Sequence, residues 1–335
     1  MKKQLTYMVV DTETATLPLC AEIANGDAEK KKKLAIAKPL IYDIGWTITN
    51  RKGEILDRKQ FLVTETFAVP QVFNTAYYAD KRPRYIEMLN RHETELKMWN
   101  EIMEVFMQDL RSVDAVGAFN SMFDFKKALP FTELYISKLY SDNYYAWEEI
   151  QRQAIMRILS DNRPARNPEF DPGNFKFRGE EFPLFDLWGL ATTHLLNNVS
   201  YKNECLNHGL LTASGTFFKT SAESTYQYLC NKYDFIESHT ALDDAMIETF
   251  ILSKIAKRHA ISLGIEYFPF RNLGCTDEFV MRKKKPNINE CQIVYDAIAT
   301  YVNSKYEANE FSNYVTGLVN RLHSLANYAG MVCAY

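Results

Sequence analysis

No apolar run in the sequence approaches the roughly 18 residues that a membrane-crossing helix needs, so no membrane contact is expected. A secretory leader is missing from the reading as well. The opening MKKQLTYMVVDT carries two lysines, but Asp11 interrupts its apolar run too early. Cysteine pairs at metal-ligand spacing are absent. Cys20, Cys205, Cys230, Cys275, Cys291 and Cys333 are scattered without a CxxC, which argues against a zinc ribbon or a disulfide framework. Free thiols of a reducing compartment are expected, and with them a cytoplasmic location. A basic excess is lacking too. The net charge of −3 excludes a protein that holds nucleic acid by bulk charge, so any such contact must be local or aided by bound cations. There is no internal repeat and no Gly/Ser-rich linker between clean domains.

What is present is core material. Apolar residues make up 47% and aromatics 13% of 335 residues, which excludes disorder and allows one large domain or a domain with an extension. Residues 5–11 read as a buried strand through Tyr7, Met8, Val9 and Val10. Residues 41–49 and 54–63 read as two more, joined by a Gly53-containing turn of hairpin length. Apolar positions at 96, 99, 102, 103, 106 and 110 have helix period. A short strand at 115–119 leads into a helical pattern, and 182–196 reads as a strand or loop entering a helix. Residues 222–233 and 241–258 read as helices. Strands mixed with helices in this order predict an α/β layer fold on a mixed sheet.

Three short motifs carry chemistry. Asp11 and Glu13 alternate on the first strand and so share a face at its end. Two like charges that close repel unless a cation sits between them, and oxygen donors suit Mg²⁺ or Mn²⁺. Asp124 follows the strand at 115–119, with Asn120 and Phe123 just ahead. Asn120 or Ser121 would suit a helix cap, and Asp124 the positive helix end. In ESHTALDD, His239 and Asp244 would diverge by about 140° on one helix. They converge only if His239 precedes the helix, and Thr240 with Asp243 offers the capping box that would start it there.

D-x-E, then N-x-x-F-D, then H-x4-D, in that order, resembles the DEDDh class of 3′–5′ exonucleases, the DnaQ-like family with a ribonuclease H-like fold. The likeness covers residues 5–260. It implies a ribonuclease H-like mixed β-sheet flanked by helices, with Asp11, Glu13, Asp124 and Asp244 holding two divalent cations, Mg²⁺ or Mn²⁺. It implies that His239, outside the cation shell, is the general base. It makes Thr14 and Leu17 candidates for meeting the terminal nucleotide, and Asn120 and Phe123 candidates for its sugar or base. Thr16 stands where the family pattern has a glycine. Asp186 resembles a family aspartate and is expected to be structural.

The implied domains are 1–260, with helical insertions at about 20–38 and 131–180, and a helical extension at 261–335. The aromatic-and-basic stretch YYADKRPRY at 77–85 is expected to be a solvated loop, with a single-strand track as the sharper alternative. The runs Glu29–Lys33 and Met281–Pro286 divide between solvated surface and backbone tracking. The implied function is metal-dependent removal of nucleotides from 3′ ends of single-stranded or frayed DNA, in replication, repair or proofreading. DNA is favoured over RNA. An exoribonuclease of the same fold and a non-catalytic scaffold or binding module stay open. The C-terminal segment also raises the expectation of a DNA polymerase partner acting in trans.

Overall fold

The computed structural model describes residues 5–161, 170–171, 174–266 and 273–275. Its centre is β1 (Thr6–Thr16). Successive side chains of an extended chain face opposite ways. Met8 and Val10 enter one apolar cluster, and Tyr7 and Val9 enter another. A strand buried on both faces reads as the unbroken apolar run that the sequence shows.

β2 (Pro39–Asn50) pairs antiparallel with β1, and β3 (Ile55–Val63) antiparallel with β2. Their turn needs Gly53, whose φ of +83° lies in the left-handed region that a β-carbon disfavours. β4 (Glu95–Lys97) runs parallel to β3, β5 (Ala115–Ala118) parallel to β1, and β6 (Leu184–Asp186) parallel to β5. The sheet order is β4-β3-β2-β1-β5-β6, and β2 alone opposes the rest.

Helices cover both faces. They are α1 (Pro18–Ala24), α2 (Ala28–Ala37), α3 (Arg82–Asn90), α4 (Trp99–Ser112), α5 (Leu129–Leu139), α6 (Tyr144–Ser160), α7 (Ala222–Cys230) and α8 (Ala241–Ala256). α4 buries Ile102, Met103, Phe106 and Leu110 in the Met8 cluster. α8 buries Ile251, Leu252 and Ile255 in the Tyr7 cluster. This is the mixed β-sheet flanked by helices that the order of strands and helices led us to expect.

Some local expectations change. β1 does not end at Asp11 but runs on to Thr16, because Pro39, Leu40 and Ile41 of β2 supply partners for Thr16, Ala15 and Thr14. The register shifts between Glu13 and Thr14, a local irregularity of the kind that re-aims side chains. The basic stretch at 20–38 is two helices, broken where Asn25 and Gly26 take positive φ and the Asp27 carboxylate accepts from the Lys30 N–H at 3.0 Å. The second insertion ends in a small antiparallel ribbon (Phe175–Phe177 with Glu180–Phe182). The expected C-terminal helices and Met281–Pro286 lie outside the described residues.

The chain forms two compact units, one of residues 1–198 with 220–272 and one of residues 199–219 with 273–335. In the second, the helix Val199–His208 buries Tyr201 and Cys205.

Candidate active site

Asp11 and Glu13 sit on the face of β1 that also carries Val9, the face that α8 covers. From α8 come Asp244 and Glu248, four residues apart and therefore on one side of the helix. Both are buried. Thr12 points the other way, and its hydroxyl donates to Asp124 Oδ1 at 2.6 Å. Asp124 opens a wide π-type turn, Asp124–Ala128, shortly after β5. The carboxylates act on one another. Burial raises the Asp11 carboxyl well above its ordinary range, and the charges of Glu248, Asp244, Asp124 and Glu13 add to the effect. Glu13 is raised by burial first and then by Asp244 and Asp43, while the Lys81 ammonium opposes the shift.

The start of α8 differs from the expected capping box. Thr240 occupies the cap position, but its hydroxyl donates to the Asp243 carboxylate at 2.9 Å instead of accepting a backbone N–H. The Ala241 N–H is taken from outside the helix by Asp43 Oδ2 at 2.9 Å. Asp43 is fully buried on β2, and Gln60 Nε2 donates to both of its oxygens at 2.9 Å. Burial pushes the Asp43 carboxyl up to about 6, against the lowering effect of bonds from Ala241, Gln60 and Tyr85. Gly45 completes the seat, since a β-carbon there would come within 2.6 Å of the Ala241 and Leu242 backbone. β2 thus docks and caps the helix that delivers Asp244 and Glu248.

His239 precedes α8, as expected, with φ of +51°. Burial lowers its imidazole pKa, Lys81 lowers it further and Glu223 opposes, which favours the neutral ring near pH 7. His239 Nδ1 lies 3.8 Å from Asp244 Oδ2. Ligand atoms of Glu13, His239 and Asp244 all fall within 4.8 Å of one another. Among the described residues, His239 thus shares a cluster with Glu13 and Asp244 that Asp11 and Asp124 do not join. Asp244 Oδ1 is buried without a hydrogen-bond partner. Burial raises the Asp244 carboxyl first, followed by Asp243 and Asp43. Two carboxylates, an imidazole and an orphaned buried oxygen suit a divalent cation. These residues fit one such ion.

Sequence reasoning missed three acids. Glu248 is 3% exposed, and its Oε2 accepts from the Phe119 N–H at 3.1 Å. Its carboxyl is raised well above the usual range by burial and then Asp124. Glu237 has a buried Oε1 without a partner, and burial pushes its carboxyl up to about 8. Asp43 is the third. The available signal was an acid inside an otherwise apolar element, in IYDIGW for Asp43 and in MIETFIL for Glu248.

The expected nucleotide contacts are placed as follows. Thr14 is half-buried just past the register shift. The Leu17 side chain is 3% exposed and packs in the core. Asn120 takes φ of +78° and makes no side-chain cap bond. Phe123 is half-buried against the Met8 cluster. Asp186 has the structural part expected of it, accepting from the Ser121 N–H at 2.9 Å and the Gly189 N–H at 3.0 Å.

The stretch at 77–85 is not the solvated loop that its composition suggested. Lys81 Nζ donates to the Ser238 carbonyl at 2.7 Å, and Arg84 Nη2 pairs with Asp243 at 2.9 Å. The Tyr85 hydroxyl lies 3.3 Å from the His239 carbonyl, and the Tyr78 hydroxyl 3.0 Å from His239 Nε2.

No family model and no curated protein matches the sequence. Among solved structures, the crystal structure of cell-death related nuclease 4 is similar over 77% of this chain and 65% of that one, with 12% identity and a TM-score of 0.35. The chain thus spans just under two thirds of that nuclease. A likeness at this level carries no argument about the site, which rests on its own geometry.

Proposed function

We propose that the protein is a metal-dependent 3′–5′ exonuclease that removes nucleotides from the 3′ ends of single-stranded DNA or frayed duplex. The observation that carries this reading is the convergence of Glu13, His239 and Asp244 around an orphaned carboxylate oxygen, with Asp11 close enough to be raised by Asp244 and Asp124. Asp11, Glu13, Asp124, Asp244 and Glu248 crowd together and, among the described residues, lack a matching set of cationic side chains, which calls for a cation. In this reading Asp11, Glu13, Asp124 and Asp244 hold two divalent ions, Mg²⁺ or Mn²⁺. Bound there, such ions polarise the phosphate and lower the pKa of water. His239, neutral near pH 7, accepts the proton of the attacking water. Asp244 Oδ2, facing Nδ1, then steadies the charged ring. Lys81 adds a positive charge beside Glu13 and Asp244 that favours an anionic substrate. Thr14, Asn120 and Phe123 are candidates for the terminal nucleotide, and Leu17 joins them through its backbone, its side chain being in the core.

The test is digestion of 5′-labelled single-stranded DNA and RNA of one sequence, with Mg²⁺, Mn²⁺ or EDTA, beside Asp11→Ala. A metal-dependent ladder shortening from the 3′ end, absent in the variant, is the expected result. Faster loss of RNA would make the protein an exoribonuclease. No digestion of either strand, together with no Mn²⁺ binding, would leave the non-catalytic scaffold reading. A DNA polymerase partner in trans predicts a faster exonuclease when polymerase is added.

A further inference from the structure

The segment 75–85, which runs into α3, is fastened to both sides of the site. At one end the Thr75 hydroxyl accepts from the Thr16 N–H at 2.8 Å, two residues beyond Thr14 on β1. At the other, the Tyr78 ring stacks on the His239 ring, with centroids 4.2 Å apart and planes 15° from parallel. Lys81 Nζ donates to the Ser238 carbonyl at 2.7 Å, and Arg84 pairs with Asp243. Tyr77 lies between these anchors and differs from its neighbours. Ala76 is buried and Tyr78 half-buried, while Tyr77 is 87% exposed.

A phenol ring left in water adds little to folding, and a lone exposed aromatic is ordinary. What sets Tyr77 apart is its bracing. Its ring meets the Tyr78 ring at a right angle with centroids 4.8 Å apart, and Tyr78 is itself stacked on the histidine of the site. A ring with only two side-chain torsions, held on a fastened segment, loses little freedom when a flat partner settles on it. Lys81 Nζ, 4.4 Å from the Tyr78 ring centroid, places a positive charge on the same segment. Proteins that hold single strands combine these two elements, a cation for the phosphates and a ring on which a base stacks.

We propose that Tyr77 is a stacking platform for a base of the single-stranded substrate near its 3′ end. The base lies flat against the exposed ring, and the strand runs between the end of β1 and the histidine loop. Every base has a flat face, so the contact tolerates any sequence. The proposal rests on the reading of the substrate as a nucleic-acid strand, and not on which residue takes the proton.

The test is binding of a 5′-labelled single-stranded DNA of about ten nucleotides, followed by anisotropy in Ca²⁺, with the strand checked on a gel afterwards. Tyr77→Ala should weaken binding about tenfold, and Tyr77→Phe, which keeps the ring, should stay within about twofold of the parent. The unfolding temperature of Tyr77→Ala should hold within about 2 °C, because the ring is exposed. Strands that lack one base at each position near the 3′ end in turn then locate the stack. At one position the missing base should cost the parent about tenfold and Tyr77→Ala less than about twofold, since its stack is already gone. Unchanged affinity in Tyr77→Ala, equal losses in the Ala and Phe variants, or the same missing-base penalty in parent and variant at every position overturns the proposal. The predicted pattern of binding without digestion in Mg²⁺ or Mn²⁺ would refute the exonuclease reading and uphold the stack. Digestion with full affinity in Tyr77→Ala would do the reverse, and a parent protein that binds no strand would overturn both.

Discussion

Asp109 and Asp244 are equally buried acids, 8% and 7% exposed, on helices that cover the same sheet. Asp109, on α4, is answered by the fold, with Trp46 Nε1 donating to its Oδ2 at 2.8 Å and Lys59 Nζ reaching it at 2.6 Å. Asp244, on α8, has one oxygen 3.8 Å from an imidazole and one with no partner. Burial raises the cost of its charge, and the charges of Asp243 and Asp43 add to it. A buried carboxylate without a partner is destabilising, so such a group takes up a proton or meets a cation. In the function proposed above, this difference, and not burial, singles out Asp244 and leaves Asp109 a structural acid.

The largest effect expected from that difference is in paired substitutions. Asp244→Asn should reduce kcat roughly 10³-fold, the loss of about 4 kcal/mol of transition-state stabilisation. Its metal-free unfolding temperature should hold or rise, because a repelled charge is gone. Asp109→Ala should do the reverse, costing about 2 kcal/mol by leaving the buried Trp46 Nε1 without its acceptor and Lys59 with Asp57 alone, while activity per folded molecule stays within about threefold. Steady-state kinetics beside thermal unfolding reads both. An Asp244→Asn variant that unfolds early yet stays active would erase the distinction.

The seat of α8 comes next. Gly45→Ala puts a methyl against backbone that cannot rotate away, within 2.6 Å of Ala241. The helix must shift, at a cost of about 2 kcal/mol, seen as a drop of roughly 4–8 °C in unfolding temperature. Because the same shift moves Asp244 and Glu248, affinity for Mn²⁺ should fall as well, by calorimetry. Loss of stability with unchanged Mn²⁺ affinity would mean that the cation does not use α8.

Much of this was legible in advance, and the misses have causes. The apolar run before Asp11 marked the central strand, because a strand buried on both faces has no polar alternation to hide it. The divergence of His239 and Asp244 on a helix forced the helix to begin after His239, and it does. The capping box failed because a sequence window sees only local partners, and Asp43 reaches Ala241 from 198 positions away. Glu248 lies inside an apolar helical stretch, but its burial depends on β1 lying beneath it. The 77–85 stretch is aromatic and basic either way, and only the fold decides that its partners are the histidine loop and not solvent.

Acidity offers a gentler test of the same contrast. The raised site carboxyls, with Asp43 near 6 and Glu237 near 8, bind protons more tightly folded than unfolded. Their contribution to stability is fully present below the unfolded carboxyl range near 4 and is lost as pH rises through the folded values. The metal-free protein should therefore unfold at lower temperature at pH 8 than at pH 5. Saturating Mn²⁺ or Mg²⁺ at pH 8 should restore roughly 5–10 °C, the shift expected at about a hundredfold excess over Kd, and much less at pH 5, where protons compete. A thermal-shift series across both pH values checks the sign. Cation stabilisation that is equal at the two would place the ion elsewhere.

The smallest effect sits beside the largest in sequence. Asp243 is half exposed, and its Oδ2 accepts from Arg84 at 2.9 Å, Ser238 at 2.8 Å and Thr240 at 2.9 Å. It is a satisfied acid of the Asp109 kind, at the edge instead of inside. Asp243→Asn keeps an oxygen for the two hydroxyls and gives up an ion pair whose exposure limits its worth to about 1 kcal/mol or less. The loop holding His239 should loosen slightly, lowering kcat about two- to threefold, with Mn²⁺ affinity unchanged by calorimetry. The order of the two neighbours is the point. If Asp243→Asn cost as much as Asp244→Asn, hydrogen-bond satisfaction would have failed to tell an acid that holds the loop from one that serves the chemistry.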